Sequence, residues 1–297
     1  MPDYKEKPTA ELIAGLHQHL ADIWRPVHAK FSKADTYYWG TFPLWPKGVE
    51  RGSYHPPRAA AIIDHAADAL MAYKPVVKKM PAGTGAKQKE RADACEPALA
   101  AIMEAAALLE PSLTWYMAGK YLLAYGYNVI EGPLLDLKDR PKEPERKKGE
   151  SEEEYGLRQT AYESERRAWM PIRIRAVHPA SVLMDPLEKQ PTCALRLGIR
   201  YAQDLHELTK GKAAYGKQAR IYLPGEDLYL PVWVLEFWSR YWHSMMDLGP
   251  ADKGVALSTE TGVSGELLFI ERNSMGFVPF THAFAGFGME LTNPGRF

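Results

Sequence analysis

Cysteine is scarce. The chain of 297 residues carries two, Cys95 and Cys193, far apart and without a CxxC pair. That spacing fits neither a disulfide framework nor a cysteine-ligated zinc site, and it points to buried thiols of an intracellular protein. Net charge is missing as well: 37 Lys+Arg stand against 37 Asp+Glu, so no global basic field draws in nucleic acid. No stretch approaches the ~20 apolar residues of a membrane span. The amino terminus, MPDYKEKPTAEL, is polar and has no apolar signal region. The expectation is a soluble, non-secreted protein with no membrane partner.

Signatures of catalysis are lacking too. Gly83-Thr84-Gly85-Ala86-Lys87 fails the GxxxxGK(S/T) spacing of a phosphate loop, and Gly286-Phe287-Gly288 lacks the third glycine of a dinucleotide fingerprint. HExxH, GxSxG and an interpretable Cys–His spacing are absent from the sequence. His17 and His19 lie two apart on a helical pattern, so they fall on different faces and are read as surface residues. Adjacent Asp64-His65 cannot face each other on a helix either. The reading is no catalytic residue, no bound cofactor, no metal site and no enzyme. A competing class is a metal-dependent hydrolase or nuclease with scattered carboxylates such as Asp64, Asp68 and Glu236, whose mark would be activity lost with chelator.

What the chain does have is a change of period. Around Met170–Asp185, MPIRIRAVHPASVLMD, Ile172, Ile174 and Ala176 alternate with Arg173 and Arg175. That is the pattern of a half-buried strand. His178-Pro179 stops it, Val182-Leu183-Met184 is a second short apolar run, and Asp185-Pro186 closes it with a turn. Upstream the chain reads as helices. Thr9 caps the first, with Leu12, Ile13, Leu16, Leu20 and Ile23 on one face, and Pro26 is expected to kink or end it. A helix after Pro57 carries an inward stripe of Ile62, Ile63, Ala66, Leu70 and Tyr73. A third runs from about Gln88 through Leu109, and a fourth from Pro111-Ser112 to about Tyr125, with Gly126 as C-cap and a strand from Tyr127 to Glu131. Downstream, strands are expected at Leu195–Tyr201, Ala219–Leu223, Leu230–Trp242 and Leu267–Arg272, an edge segment at Phe277–Ala283, and a short helix at Ala202–Thr209.

These patterns predict an α+β chain: an N-terminal helical layer packed on a mixed, mostly antiparallel β-rich half. The divisions fall at 1–136 (mainly helical), 137–169 (a charged insertion, helical or disordered) and 170–297 (β-rich). The insertion is dense in both charge signs and reads as a solvated projection or a partner-binding arm. The aromatic stretch Tyr37–Pro46, with Trp39 and Trp45, reads as a satellite hydrophobic cluster or a subunit contact. Large rings at Trp233, Phe237, Trp238, Tyr241 and Trp242 fall on both faces of one expected strand, so the insertion, the N-terminal helices or a neighbouring subunit must cover the second face. Arg173, Arg175, Arg196 and Arg200 could compose a basic sheet face, either merely solvated or in contact with nucleic acid or an acidic partner. A nucleic-acid-binding module built on them would lose affinity steeply with salt.

Four passages in this order carry a resemblance. They are Arg58–Val77 (RAAAIIDHAADALMAYKPVV), Ala118–Ile130 (AGKYLLAYGYNVI), Ile174–Pro186 (IRAVHPASVLMDP), and Leu235–Trp242 followed by Gly276–Ala285 (GFVPFTHAFA). Together they resemble the portal proteins of tailed bacteriophages, in an early helix ending in proline, a helix leading through glycine into a strand, a strand-turn unit closed by Asp-Pro, and an aromatic strand with a later Pro-Phe segment. The resemblance spans Arg58 to Ala285. It implies a structural subunit of a cyclic homo-oligomer, commonly a dodecamer, at the capsid vertex of the virion, assembled in the host cytoplasm. Double-stranded DNA would pass through its channel during packaging and genome ejection. Implied partners are the packaging motor (large terminase), the major capsid or scaffold protein and the head–tail adaptor. A neutral chain suits a channel in which DNA slides without tight binding. The family's long stem helices, clip and crown have no counterpart near the end of this sequence, which implies a wing-like N-terminal portion or a non-ring relative. From the aromatic and arginine patterns, Trp39, Trp45, Arg173, Arg175, Arg196, Arg200 and Trp238 are the candidate interface or basic-face residues.

Overall fold

A computed structural model describes residues 4–41, 58–71, 83, 85–109, 113–135, 140–169, 172–185, 191–209, 229–251 and 265–285. The elements in order are α1 (Ala10–Tyr38), α2 (Arg58–Met71), α3 (Ala86–Leu109), α4 (Leu113–Tyr125), β1 (Tyr127–Leu135), α5 (Glu152–Ala168) and β2 (Ile172–Val177). A single 3-10 turn at Pro179–Ser181 leads to β3 (Val182–Met184), β4 (Cys193–Tyr201), α6 (Ala202–Thr209), β5 (Pro231–Ser239), β6 (Trp242–Pro250), β7 (Glu266–Arg272) and β8 (Phe280–Phe284). The class is α+β, with helices first and two sheets in the C-terminal half, ordered β2-β1-β8 and β3-β4-β5-β6-β7. Every described pairing within the five-stranded sheet is antiparallel. Among the described residues no helix is long and apolar enough to cross a membrane.

The chain divides into two compact units. One comprises Met1–Ala66, Lys120–Val129 and Val177–Phe297, and the other Ala67–Gly119 and Ile130–Ala176. In the first, Thr9 caps α1 by accepting from the Leu12 N–H. α1 does not end at Pro26 but runs on to Tyr38. Proline removes one backbone hydrogen bond. Burial of Val27, Phe31 and Tyr38 beyond it continues the stripe of Ile13, Leu20 and Trp24, and that apolar burial offsets the loss.

The aromatic stretch read as one strand to Trp242 is a hairpin. β5 ends at Ser239, Arg240 and Tyr241 turn, and Trp242 opens β6. The Ser239 hydroxyl oxygen accepts from the N–H groups of Tyr241 and Trp242, which fixes that turn. Residues of this chain pack on both faces of the sheet. Leu205 of α6 packs with Val232, Val234, Met245 and Leu268 on one face. On the other, Tyr4 meets Phe237 edge-on at 5.7 Å, and the Trp242 indole donates to the Lys5 carbonyl at 3.0 Å.

In the second unit, Ala67 of α2, Ala92 of α3 and Ala118 of α4 are buried. Ile62 and Leu70, expected to face inward, are exposed instead, Ile62 at 69%. The buried position on α2 is Ala67. Next to β2, the Thr114 hydroxyl donates to the Ile174 carbonyl at 3.2 Å. The charged stretch holds α5, whose Ser151 and Glu154 form a reciprocal capping box. Three glutamates in its first turn and two arginines in its last match the helix dipole. The strand expected at Ala219–Leu223 and most of the aromatic stretch after Thr41 lie outside the described residues.

Candidate functional site

Three polar assemblies organise the first unit. The first is built by strand register. Arg196 of β4 stands opposite Glu236 of β5, and Arg200, four positions along the same face, reaches the same carboxylate with Nη2 2.7 Å from Oε1. The Arg196 guanidinium lies 3.8 Å from Oε2. Glu236 is almost fully buried. Burial alone would push its carboxyl up, but the charges of Arg196 and Arg200 outweigh it and hold the pKa below the ordinary value.

The second assembly adjoins it. Trp238 stacks on His243, its cross-strand partner, with ring centroids 3.6 Å apart. Phe269 meets the imidazole edge-on, and Nδ1 lies 2.9 Å from Oε1 of Glu271, which sits opposite in β7. That contact lowers the Glu271 pKa.

The third ties α1 and α4 to the turn between β2 and β3. His178 Nδ1 accepts from the Ala180 N–H at 3.3 Å, so in the neutral ring the proton sits on Nε2. Nε2 lies 3.1 Å from the Tyr125 hydroxyl and donates to it, and Tyr125 in turn donates to Asp35. Burial and then Asp35 raise the Tyr125 pKa. Burial depresses that of His178, against the pull of Asp35. At the end of α1 the Tyr38 hydroxyl and the Lys120 ammonium both hold Asp64, at 3.0 and 2.9 Å. Burial disfavours the Lys120 charge, but Tyr38 and Asp64 outweigh that and lift its pKa.

These arrangements satisfy charge internally. Among the described residues no three His, Cys, Asp or Glu side chains come together as a metal would need. Of the scattered carboxylates, Asp64 is engaged with Lys120 and Tyr38, and Glu236 with the two arginines.

The arginines expected on one sheet face lie on two sheets: Arg173 and Arg175 on β2, Arg196 and Arg200 on β4. Arg175 is paired with the fully buried Glu131, and Arg196 and Arg200 with Glu236; Arg173 is exposed. Trp238 is 8% exposed and belongs to the sheet interior. Trp39, at the C-cap of α1, is 70% exposed. Trp45 lies outside the described residues. His17, read as a surface residue, is half-buried on α1, and burial lowers its pKa. Sequence reasoning missed Asp35, Tyr125, His243 and Glu271. The available signal was slight: a histidine before proline at a strand end is a capping position, and its partners come from elements far away in the chain.

No protein-family model matches the chain, and no curated protein matches it.

Proposed function

We propose that this chain is a structural subunit of a tailed-phage portal ring. It would sit at the capsid vertex of the virion, form part of the channel for DNA packaging and ejection, and dock the packaging motor and the head–tail adaptor. The observation that carries this reading is the order of its resembling passages along the chain. In the fold those passages are α2, the α4–Gly126–β1 unit, the β2–turn–β3 unit, and the β5–β6 hairpin with the later β8. Gly126 joins α4 to β1 with φ of +69° and its N–H bonded to the Leu122 carbonyl at 2.9 Å, a helix stop that favours glycine. Support also comes from the disposition of charge. Glu131 and Glu236 are buried against arginines, which suits residues that fix a scaffold.

Mass and shape of the full-length product of the reading frame test the proposal. Light scattering is expected to give a multimer of about twelve subunits, and negative-stain microscopy a ring with a central channel. A full-length product that stays monomeric at high concentration would overturn it.

A further inference from the structure

The C-terminal half of α1 and the turn against it hold two histidines whose surroundings disfavour a proton; His17, eleven residues before His28, lies outside this seam. His28 packs against Trp24 and Phe31, with ring centroids 6.0 and 5.8 Å away, and its buried Nε2 has no hydrogen-bond partner among the described residues. His178 uses Nδ1 as an acceptor from Ala180, so a second ring proton must break that bond. Its ring lies edge-on to Tyr121 and Tyr125, both at 5.3 Å. The two histidines also oppose each other's charge: burial pulls His28 down to about 4, with His178 as the second cause.

The groups that face this pair come from every neighbouring element. On α1 the sole carboxylate touching the chain of bonds is Asp35, already bound by Tyr125. Tyr121 and Tyr125 come from α4, Tyr127 from β1 and, beyond it, His282 from β8, 5.9 Å from the Tyr127 ring. Burial raises the pKa values of the three tyrosines, so they stay neutral in acid. Two ties bound the seam. Trp24 donates to the Met184 carbonyl at 2.7 Å, a bond without a titrating group. Tyr38 and Lys120 hold Asp64 from two sides, by a hydroxyl and by an ammonium. Pro26, which removes a helical hydrogen bond, lies just after the first tie.

We propose that α1 between Pro26 and Tyr37, with the His178–Ser181 turn, forms an acid-released latch that opens locally while its two flanking ties hold. Opening hydrates both imidazoles, so each open molecule takes up two protons that the closed one refuses. The closed form is therefore fully favoured above the ordinary histidine value and loses ground as pH falls from there toward about 4. The proposal is independent of the ring reading, since every contact it uses lies within one chain.

Hydrogen exchange of the full chain, followed by mass spectrometry from pH 7 to 4.5 and corrected for intrinsic rates, tests it. Protection of residues 27–37 and 178–181 is expected to fall by up to about 100-fold per pH unit, the slope for two linked protons. Residues 20–24 and the five-stranded sheet are expected to hold. His28→Asn is expected to halve the logarithmic slope. Should that variant fold poorly, histidine titration of the wild-type chain by NMR provides the second readout, with the imidazoles of His28 and His178 protonating below the ordinary value. A pH-independent seam, loosening spread evenly over α1, or both imidazoles titrating at the ordinary value would overturn the proposal.

Discussion

Arg196 stands directly across from Glu236 in the β4–β5 ladder, and Arg200 closes on the same carboxylate from the far side. One buried anion thus fixes two guanidinium groups. Removing the anion takes that buried partner from both, and breaking a buried pair costs more than the pair contributes. Glu236→Gln is therefore expected to destabilise the sheet by about 3 kcal/mol, measured by urea unfolding at neutral pH. The sign in acid follows from the lowered pKa. The stabilisation is present above the ordinary carboxyl value of 4.5 and is lost as pH falls through the folded value. The variant should accordingly show a shallower loss of stability below that point than the parent. An equal acid response in both chains would show that Glu236 is not the titrating group.

Two glycines separate strain from crowding. Gly126 has φ of +69° and open space where a Cβ would stand, so Gly126→Ala is expected to cost about 1 kcal/mol from backbone conformation alone. Gly132 has φ of +130°, and a Cβ there would meet the Arg173 carbonyl oxygen at 2.7 Å and Ile174 Cα at 3.1 Å on β2. Gly132→Ala should lose about 3 kcal/mol, because the strand must move as well as twist. Equilibrium unfolding of the two variants side by side checks the ordering, and equal losses would refute the steric part.

Local and global stability part company at α5. Ser151→Ala removes the hydroxyl that accepts from the Glu154 N–H, at a cost of about 1 kcal/mol to the helix. The helix is exposed along most of its length, so the loss should appear as faster amide exchange in its first turn and quicker proteolysis within 140–169. The main unfolding midpoint should not move. A shift of that midpoint would mean that α5 contributes to a core.

The legible parts of this fold were those governed by local periodicity. Thr9 as cap, Gly126 as helix stop, the short β3 run and α6 all follow from spacing within a few residues. The misreadings share a cause: tertiary packing outweighed a local rule. Pro26 breaks a helix in isolation, yet here apolar burial on both sides of it carries α1 through. Ile62 and Leu70 read as an inward stripe because alanine, which fills the buried position at Ala67, carries little hydrophobic signal. The Val232–Trp242 run concealed a turn, because Arg240 and Tyr241 are not turn formers by type, and the Ser239 hydroxyl does the turning. Charge partners were not legible, since the register that brings Arg196 to Glu236 joins positions forty residues apart.

Trp39 and Trp238 were both candidate interface residues, and the fold assigns them opposite environments. Trp238 is 8% exposed and stacked on His243. Its truncation opens a cavity in the sheet, so Trp238→Ala is expected to cost about 4 kcal/mol and to abolish folding before any assembly is measured. Trp39 is 70% exposed and meets Tyr38 edge-on at 4.9 Å. Trp39→Ala removes little packing and should leave the unfolding midpoint within about 0.5 kcal/mol of the parent. If the proposed ring uses the end of α1 as a subunit contact, a large exposed ring is the kind of anchor an interface employs. Trp39→Ala in the full-length product should then lower the assembled fraction in light scattering while the circular dichroism spectrum stays that of the parent. Unchanged assembly with unchanged stability would remove Trp39 from the interface and leave the ring proposal to be judged on mass alone. Loss of stability in Trp39→Ala would show instead that its indole packs within the chain.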